Sequence, residues 1–134
     1  MHDSIRQQVL ARAGDRCEYC RMPQQFDELI FEIEHVIARQ HGGSDRLVNR
    51  AAACFACNRH KGPNLAGVDP KSGKKVWLFN PRRHTWLRHF RWNGPILVGR
   101  TPIGRATIVV LAINRPLRVR HRDQIMREGV FDIT

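Results

Sequence analysis

Apolar side chains in the first thirteen residues fall at Ile5, Val9, Leu10 and Ala13, the spacing of one helical face. Asp3 or Ser4 is placed to cap that helix and Gly14 to end it, and Met22-Pro23 then breaks the chain. Over residues 26–37 the rhythm changes to two. Leu29, Phe31 and Ile33 alternate with Glu28, Glu32 and Glu34, which predicts a strand carrying Glu34-His35 near its end. His41-Gly42-Gly43-Ser44-Asp45 reads as a loop. Residues 50–53 fit a short second strand despite three alanines, and residues 55–61 a short helix closed by Gly62-Pro63. Strand, loop, strand and helix in that order make one ββα unit.

Beyond it the pattern is looser. Asp69-Pro70-Lys71-Ser72-Gly73 is a turn, and Val76-Trp77-Leu78-Phe79 reads as a buried strand. Residues 82–92 are basic and aromatic, with Trp86, Leu87 and Phe90 at helical spacing, and Ile96-Leu97-Val98 is short enough for a strand. Thr101-Pro102 is a strong helix start, and the apolar positions run on to Asn114 before Pro116. A last helix is expected over residues 122–128.

Charge changes the picture. The chain of 134 residues carries a formal net charge of +11, which favours a polyanionic partner because neutralising phosphates releases condensed counterions. Residues 1–62 hold 9 basic and 8 acidic side chains, and residues 63–134 hold 14 and 4. The carboxylates available for chemistry therefore lie in the first part, and most of the phosphate affinity in the second. No apolar run approaches the ~20 residues needed to span a bilayer, and the N-terminal residues lack a signal-peptide core, so a cytoplasmic protein is expected. In a reducing compartment the two Cys-x-x-Cys pairs favour metal thiolates over disulfides.

Those pairs, Cys17/Cys20 and Cys54/Cys57, bracket the ββα unit. Two such knuckles complete a closed, tetrahedral Cys₄ site for Zn²⁺, which leaves no position for water and is therefore structural. Between them stand groups suited to phosphodiester hydrolysis. A histidine serves as base near neutral pH, and a carboxylate with an amide oxygen suits a hard ion such as Mg²⁺ or Mn²⁺. Adjacent strand residues point to opposite faces, so Glu34 and His35 need a bend or bulge to share one site.

Glu34-His35, Gly42-Gly43, Asn49 and Cys57-Asn58 with Lys61 resemble the motif of the HNH endonucleases, and the flanking cysteine pairs resemble the zinc-stapled branch of that family. The resemblance implies the ββα-metal fold, with His35 as general base and Glu34 and Asn58 as ligands of one catalytic divalent ion. It implies that Asn49 ties the loop between the strands and so orients the base. Products would carry a 5′-phosphate and a 3′-hydroxyl. The stretch from Leu78-Phe79-Asn80-Pro81-Arg82 to Thr101-Pro102-Ile103-Gly104-Arg105-Ala106-Thr107 resembles the C-terminal extension of small stand-alone bacterial, notably cyanobacterial, HNH proteins. The chain departs from the motif at Glu34, where aspartate is common, at Ala38 in place of proline, and at Arg50 in place of leucine. Asn58 in place of histidine favours magnesium or manganese.

The expectation is thus a single α+β domain, with residues 1–65 a zinc-stapled ββα core and residues 66–134 a basic α/β extension. Its partner would be DNA, with RNA as an alternative, and monomer and homodimer both stay open because one ββα unit cuts one strand. Arg39, Arg50, Arg59 and Lys61 would hold phosphates around the site, joined by Arg82, Arg83, Arg88 and Arg91 from the extension. Trp86 and Trp92 among them read as core, with a stacking platform for unpaired bases as the other option. His41 and His60 read as surface groups near the site. The competing function is a zinc-stapled nucleic-acid-binding module without catalysis.

Overall fold

A computed structural model describes residues 2–129 and 131. Helix α1 spans His2–Arg12, so Asp3 and Ser4 lie within the helix rather than capping it, and the Asp3 side chain is outside the described set. Val9 is fully buried, and Arg12 reaches the backbone oxygens of Leu47 (3.1 Å) and Arg50 (2.6 Å). These contacts lay α1 against the ββα unit.

That unit follows its expected order. Strand β1 (Glu32–His35) pairs antiparallel with β2 (Arg50–Ala53), and α2 (Phe55–Lys61) follows directly. The first strand is much shorter than the alternation over 26–37 predicts. Gln24 donates to the Leu29 oxygen (3.0 Å) and accepts from the Phe31 amide (2.8 Å), and Asp27 accepts from the Leu29 amide (2.9 Å). These side-chain bonds take backbone groups that a ladder would have used. The face is also inverted, because Glu34 is buried while Ile33 is only half-buried.

Hairpin β3 (Ala66–Val68) and β4 (Lys75–Trp77) comes next. The strand expected to be buried ends at Trp77, which is 68% exposed, and only Leu78 and Phe79 turn into the core. Residues 82–92 do not form one helix. Helix α3 is a single turn, Trp86–His89, and β5 (Phe90–Asn93) then pairs with β6 (Ile96–Gly99). Phe90 is buried, Trp92 half-buried, and Arg91 and Asn93 exposed, the period-two pattern that helical spacing had masked.

Helix α4 (Pro102–Val110) starts as expected, with Thr101 Oγ1 accepting from the Gly104 amide at 3.1 Å. It ends four residues before Asn114, where Ala112 adopts a left-handed φ of 51°. Helix α5 (Pro116–Arg127) begins well before residue 122, because Pro116 opens a helix instead of blocking one.

Three two-stranded antiparallel sheets and the helices share one buried cluster that includes Tyr19, Phe31, Phe79, Trp86, Phe90, Leu97, Leu111, Ile113 and Ile125. Phe79 and Trp86 meet Phe90 at 5.2 and 5.1 Å between ring centroids. The fold is α+β. Among the described residues no helix is long and apolar enough to cross a membrane.

Candidate active site and metal centre

The four cysteines converge. Their sulfurs all lie within 4.8 Å of one another, and all four residues are buried. The first knuckle closes through the Cys17 amide on the Met22 oxygen and the Arg21 amide on the Cys17 oxygen, both 2.9 Å. The second is the start of α2, where Cys54 Sγ accepts from the Cys57 amide at 3.4 Å. Burial pushes the Cys17 and Cys57 thiols well up, whereas hydrogen bonds from Cys17, Cys54 and Cys57 hold the Cys20 thiol well down. Four convergent, buried sulfurs are the donor set that a soft dication such as Zn²⁺ takes. Arg118 of α5 donates to Cys57 Sγ at 3.0 Å and approaches Cys54 Sγ at 3.7 Å.

The loop between β1 and β2 is held by Asn49. Its Nδ2 donates to the Ile37 (2.9 Å) and Ser44 (2.7 Å) oxygens, and its Oδ1 accepts from the Ile37 amide (2.9 Å). Gly43 completes this tie, since a Cβ there would sit 1.7 Å from the Ile37 oxygen and 2.9 Å from Asn49 Nδ2. No larger residue fits.

Glu34, His35 and Asn58 line one groove of about 630 Å³ together with Arg39 and Arg59. The β1–β2 register is unbroken through Glu34 and His35, so the bulge expected there is absent. The carboxylate of Glu34 goes inward, where it accepts from Tyr19 Oη and lies 3.3 Å from Lys61 Nζ. Burial raises its pKa, against the opposing pull of Lys61 and Tyr19. His35 Nε2 lies 2.7 Å from Asp45 Oδ1, which also accepts from Arg39 Nε at 2.9 Å. Those two partners hold the exposed Asp45 carboxyl below its ordinary value, the His35 bond first.

The phosphate-binding set divides. Arg39 and Arg59 line the groove, whereas Arg83, Arg88 and Arg91 are exposed and do not line it. Lys61 is corrected: it is 2% exposed, and its ammonium donates to the Val36 oxygen at 2.9 Å. Arg82 is corrected too, because its guanidinium pairs with the buried Glu18. Arg50 is half-buried and donates to the Ile33 and Asp45 oxygens, both at 3.3 Å. The stacking option for Trp86 fails, since its ring is buried and Nε1 donates to the Tyr19 oxygen at 2.8 Å. Trp92 is half-buried against Phe131. His41 is exposed and His60 half-buried.

Sequence reasoning missed Tyr19, Asp45 and the inward role of Lys61. The x positions of a Cys-x-x-Cys knuckle and of a glycine-rich loop carry no spacing signal that would single out the first two.

No curated protein and no solved structure gives a significant match to the chain. The model of the HNH endonuclease family does match, over residues 17–64, the segment that holds both cysteine pairs, the Asn49 tie and the groove of Glu34, His35 and Asn58. That segment of the chain is therefore similar to the HNH endonuclease family, and a four-cysteine cluster frames it.

Proposed function

We propose that the chain is a metal-dependent endonuclease that hydrolyses DNA phosphodiester bonds to a 5′-phosphate and a 3′-hydroxyl. The observation that carries this reading is that Glu34, His35 and Asn58 line a single groove inside the HNH segment. His35 is the general base. Asp45 is acceptor-only when ionised, so the 2.7 Å contact puts the imidazole proton on Nε2 and leaves Nδ1 free to take a proton from water. Asn49 holds the loop that carries Asp45, and so fixes the orientation of the ring.

Two metal sites belong to this reading. Cys17, Cys20, Cys54 and Cys57 would hold Zn²⁺ as a closed structural centre. Glu34 and Asn58 would hold Mg²⁺ or Mn²⁺, which supplies Lewis-acid stabilisation of the scissile phosphate and the leaving oxygen. The donor set fits a hard ion. Glu34 Oε2 is approached by Lys61 at 3.3 Å, longer than a strong charge-assisted bond, so the carboxylate would have to turn from its inward position to reach an ion in the groove. Arg39 and Arg59 would bind flanking phosphates.

The inward partners of Glu34 favour a second reading, a zinc-stapled nucleic-acid-binding module without catalysis, in which Glu34 only braces Tyr19 and Lys61. Supercoiled plasmid separates the two. Zinc-loaded protein with Mg²⁺ or Mn²⁺ is expected to convert it to open-circle or linear DNA, and His35→Ala to slow the conversion by about 10²-fold or more at nearly unchanged DNA affinity. Retention of plasmid without cleavage, with every divalent ion tried, would establish the binding module instead.

A further inference from the structure

The β3–β4 hairpin leaves a large aromatic outside the core for a positional reason. Cross-strand partners share a face, so Gly67 and Val76 point one way, and Trp77 with Ala66 and Lys75 with Val68 the other. Gly67 lies against α4, where a Cβ would come within 2.5 Å of Val110 Cγ2. The Gly67 face is therefore taken by α4, and the Trp77 face is left to solvent. Trp77 is 68% exposed and Val68 54%.

That face borders a cavity of about 1030 Å³, walled by Trp77, Leu65 and Ile103 and edged by His41, Asn64 and Lys75. The size is at the upper end of the ~300–1,000 Å³ of ordinary ligand clefts. It adjoins the groove of Glu34, His35 and Asn58, because Gln40 and Pro63 line both. Because the two share a wall, a strand with a phosphate in the groove has this cavity beside its path. The cavity combines a bare indole face, amide and imidazole edges for a base, and an ammonium for a phosphate. The surrounding extension carries 14 basic and 4 acidic side chains, which complements a polyanion rather than an apolar protein surface.

We propose that the Trp77 cavity is a subsite for an unpaired base of a DNA strand, so that the groove beside it takes single-stranded or locally unpaired DNA in preference to intact duplex. The indole stacks on the base, a contact tolerant of sequence because every base has a π-face. Lys75 pairs with an adjacent phosphate. This deepens the nuclease reading and rests on its placement of the scissile phosphate.

The test uses the full-length, zinc-loaded protein with no added divalent ion, so that binding is read without hydrolysis. Fluorescently labelled oligo-dT and a perfectly paired duplex of equal length are titrated at fixed salt, alongside intrinsic tryptophan fluorescence. Trp86 is buried and Trp92 half-buried, so Trp77 is the indole most open to quenching by bases. Oligo-dT is expected to quench the emission. Trp77→Ala should weaken oligo-dT binding roughly tenfold and remove the quenching, with the single-strand to duplex affinity ratio falling accordingly. Trp77→Phe should restore most of the affinity. The substituted side chain is exposed, and unchanged zinc content checks the fold.

Equal oligo-dT affinity in wild type and Trp77→Ala overturns the subsite, as does quenching that persists without Trp77. Concentration-dependent dimerisation that Trp77→Ala abolishes also overturns it, since the face would then belong to a second copy. Cleavage assays on the same proteins keep the two readings apart. Trp77-dependent oligo-dT binding without hydrolysis supports the base site and sinks the nuclease. Hydrolysis indifferent to Trp77 does the reverse.

Discussion

Between the cysteine-framed segment and the extension that follows it, the buried side chains change in kind. Around the ββα unit many enclosed residues are small or polar: Ala51, Ala52 and Ala53 are fully buried, next to four cysteines, Glu18, Glu34, Asn49 and Lys61, with Val9, Tyr19, Met22, Phe31 and Val36 as the larger apolar ones. In the extension they are large and apolar, with Phe79, Trp86, Phe90, Leu97, Leu111 and Ile113 filling the centre. Three alanines bury little area, so β2 itself adds little hydrophobic drive, and this region leans more on satisfied polar groups and on the ion that its cysteines would hold. The second leans more on packing of large side chains, around the buried Asp69, His89, Thr107 and Arg122. The extension nevertheless reaches into the first region at the points where that region is weakest. Trp86 donates to the Tyr19 oxygen, Arg82 pairs with Glu18, and Arg118 donates to Cys57 Sγ. We therefore propose that the two regions unfold as one unit.

Removing the metal is the harshest way to break this comparison. Structural zinc in small domains is worth about 10–16 kcal/mol of apparent binding energy, and an ion held by the four cysteines would contribute that energy to folding. Cys54→Ser, or exhaustive chelation, is expected to abolish cooperative melting followed by far-UV circular dichroism and by Trp86 emission together. Loss of the circular-dichroism transition with an intact tryptophan transition would show that the extension folds alone.

Arg118→Ala is a milder cut at the same seam. Burial alone would lower the pKa of this guanidinium, but the thiolates of Cys57, Cys20 and Cys54 outweigh it and hold the charge firmly. Its loss removes a hydrogen bond to a charged sulfur and is expected to cost about 1.5–3 kcal/mol. Urea melts should record that loss, and competition with a metallochromic chelator should show zinc released more readily. Unchanged zinc retention would mean that α5 merely lies beside the centre.

The sequence was most legible where spacing is dictated by chemistry. Two thiolates need two residues between them to reach one ion, and α2 appears at residues 55–61 as read. Asn49 and Gly43 stood out only through the family resemblance; the structure shows Asn49 bonded to Ile37 and Ser44, and no room for a Cβ at Gly43. Periodicity misled wherever a polar site replaced the core. Glu34 points inward to Tyr19 and Lys61, so the alternation in β1 marks the wrong face. Lys61 and Arg82 read as phosphate ligands because their partners, Glu34 and Glu18, are distant in sequence and nothing local announces a buried pair. In the extension, Trp86 and Phe90 lie four apart and suit a helix, but Phe90 and Trp92 lie two apart and suit a strand. The close packing of Phe90 on Phe79 and Trp86 accompanies the second choice.

The smallest effect sets the two regions apart at a single turn of helix. Both α2 and α4 are capped by a side chain accepting from the amide three residues on: Cys54 Sγ from Cys57, and Thr101 Oγ1 from Gly104. In α2 the cap would also be a metal ligand on the proposed reading, so removing it would cost the centre. In α4 it is an ordinary hydroxyl, further engaged by His89 Nδ1 at 2.6 Å. Thr101→Ala is expected to destabilise the protein by about 1 kcal/mol, with Thr101→Ser nearly neutral, in thermal melts of zinc-loaded protein. Zinc content should be the same in all three. A zinc deficit in Thr101→Ala would tie α4 to the metal centre as tightly as α5, and the division between a ligand-held and a packing-held region would no longer stand.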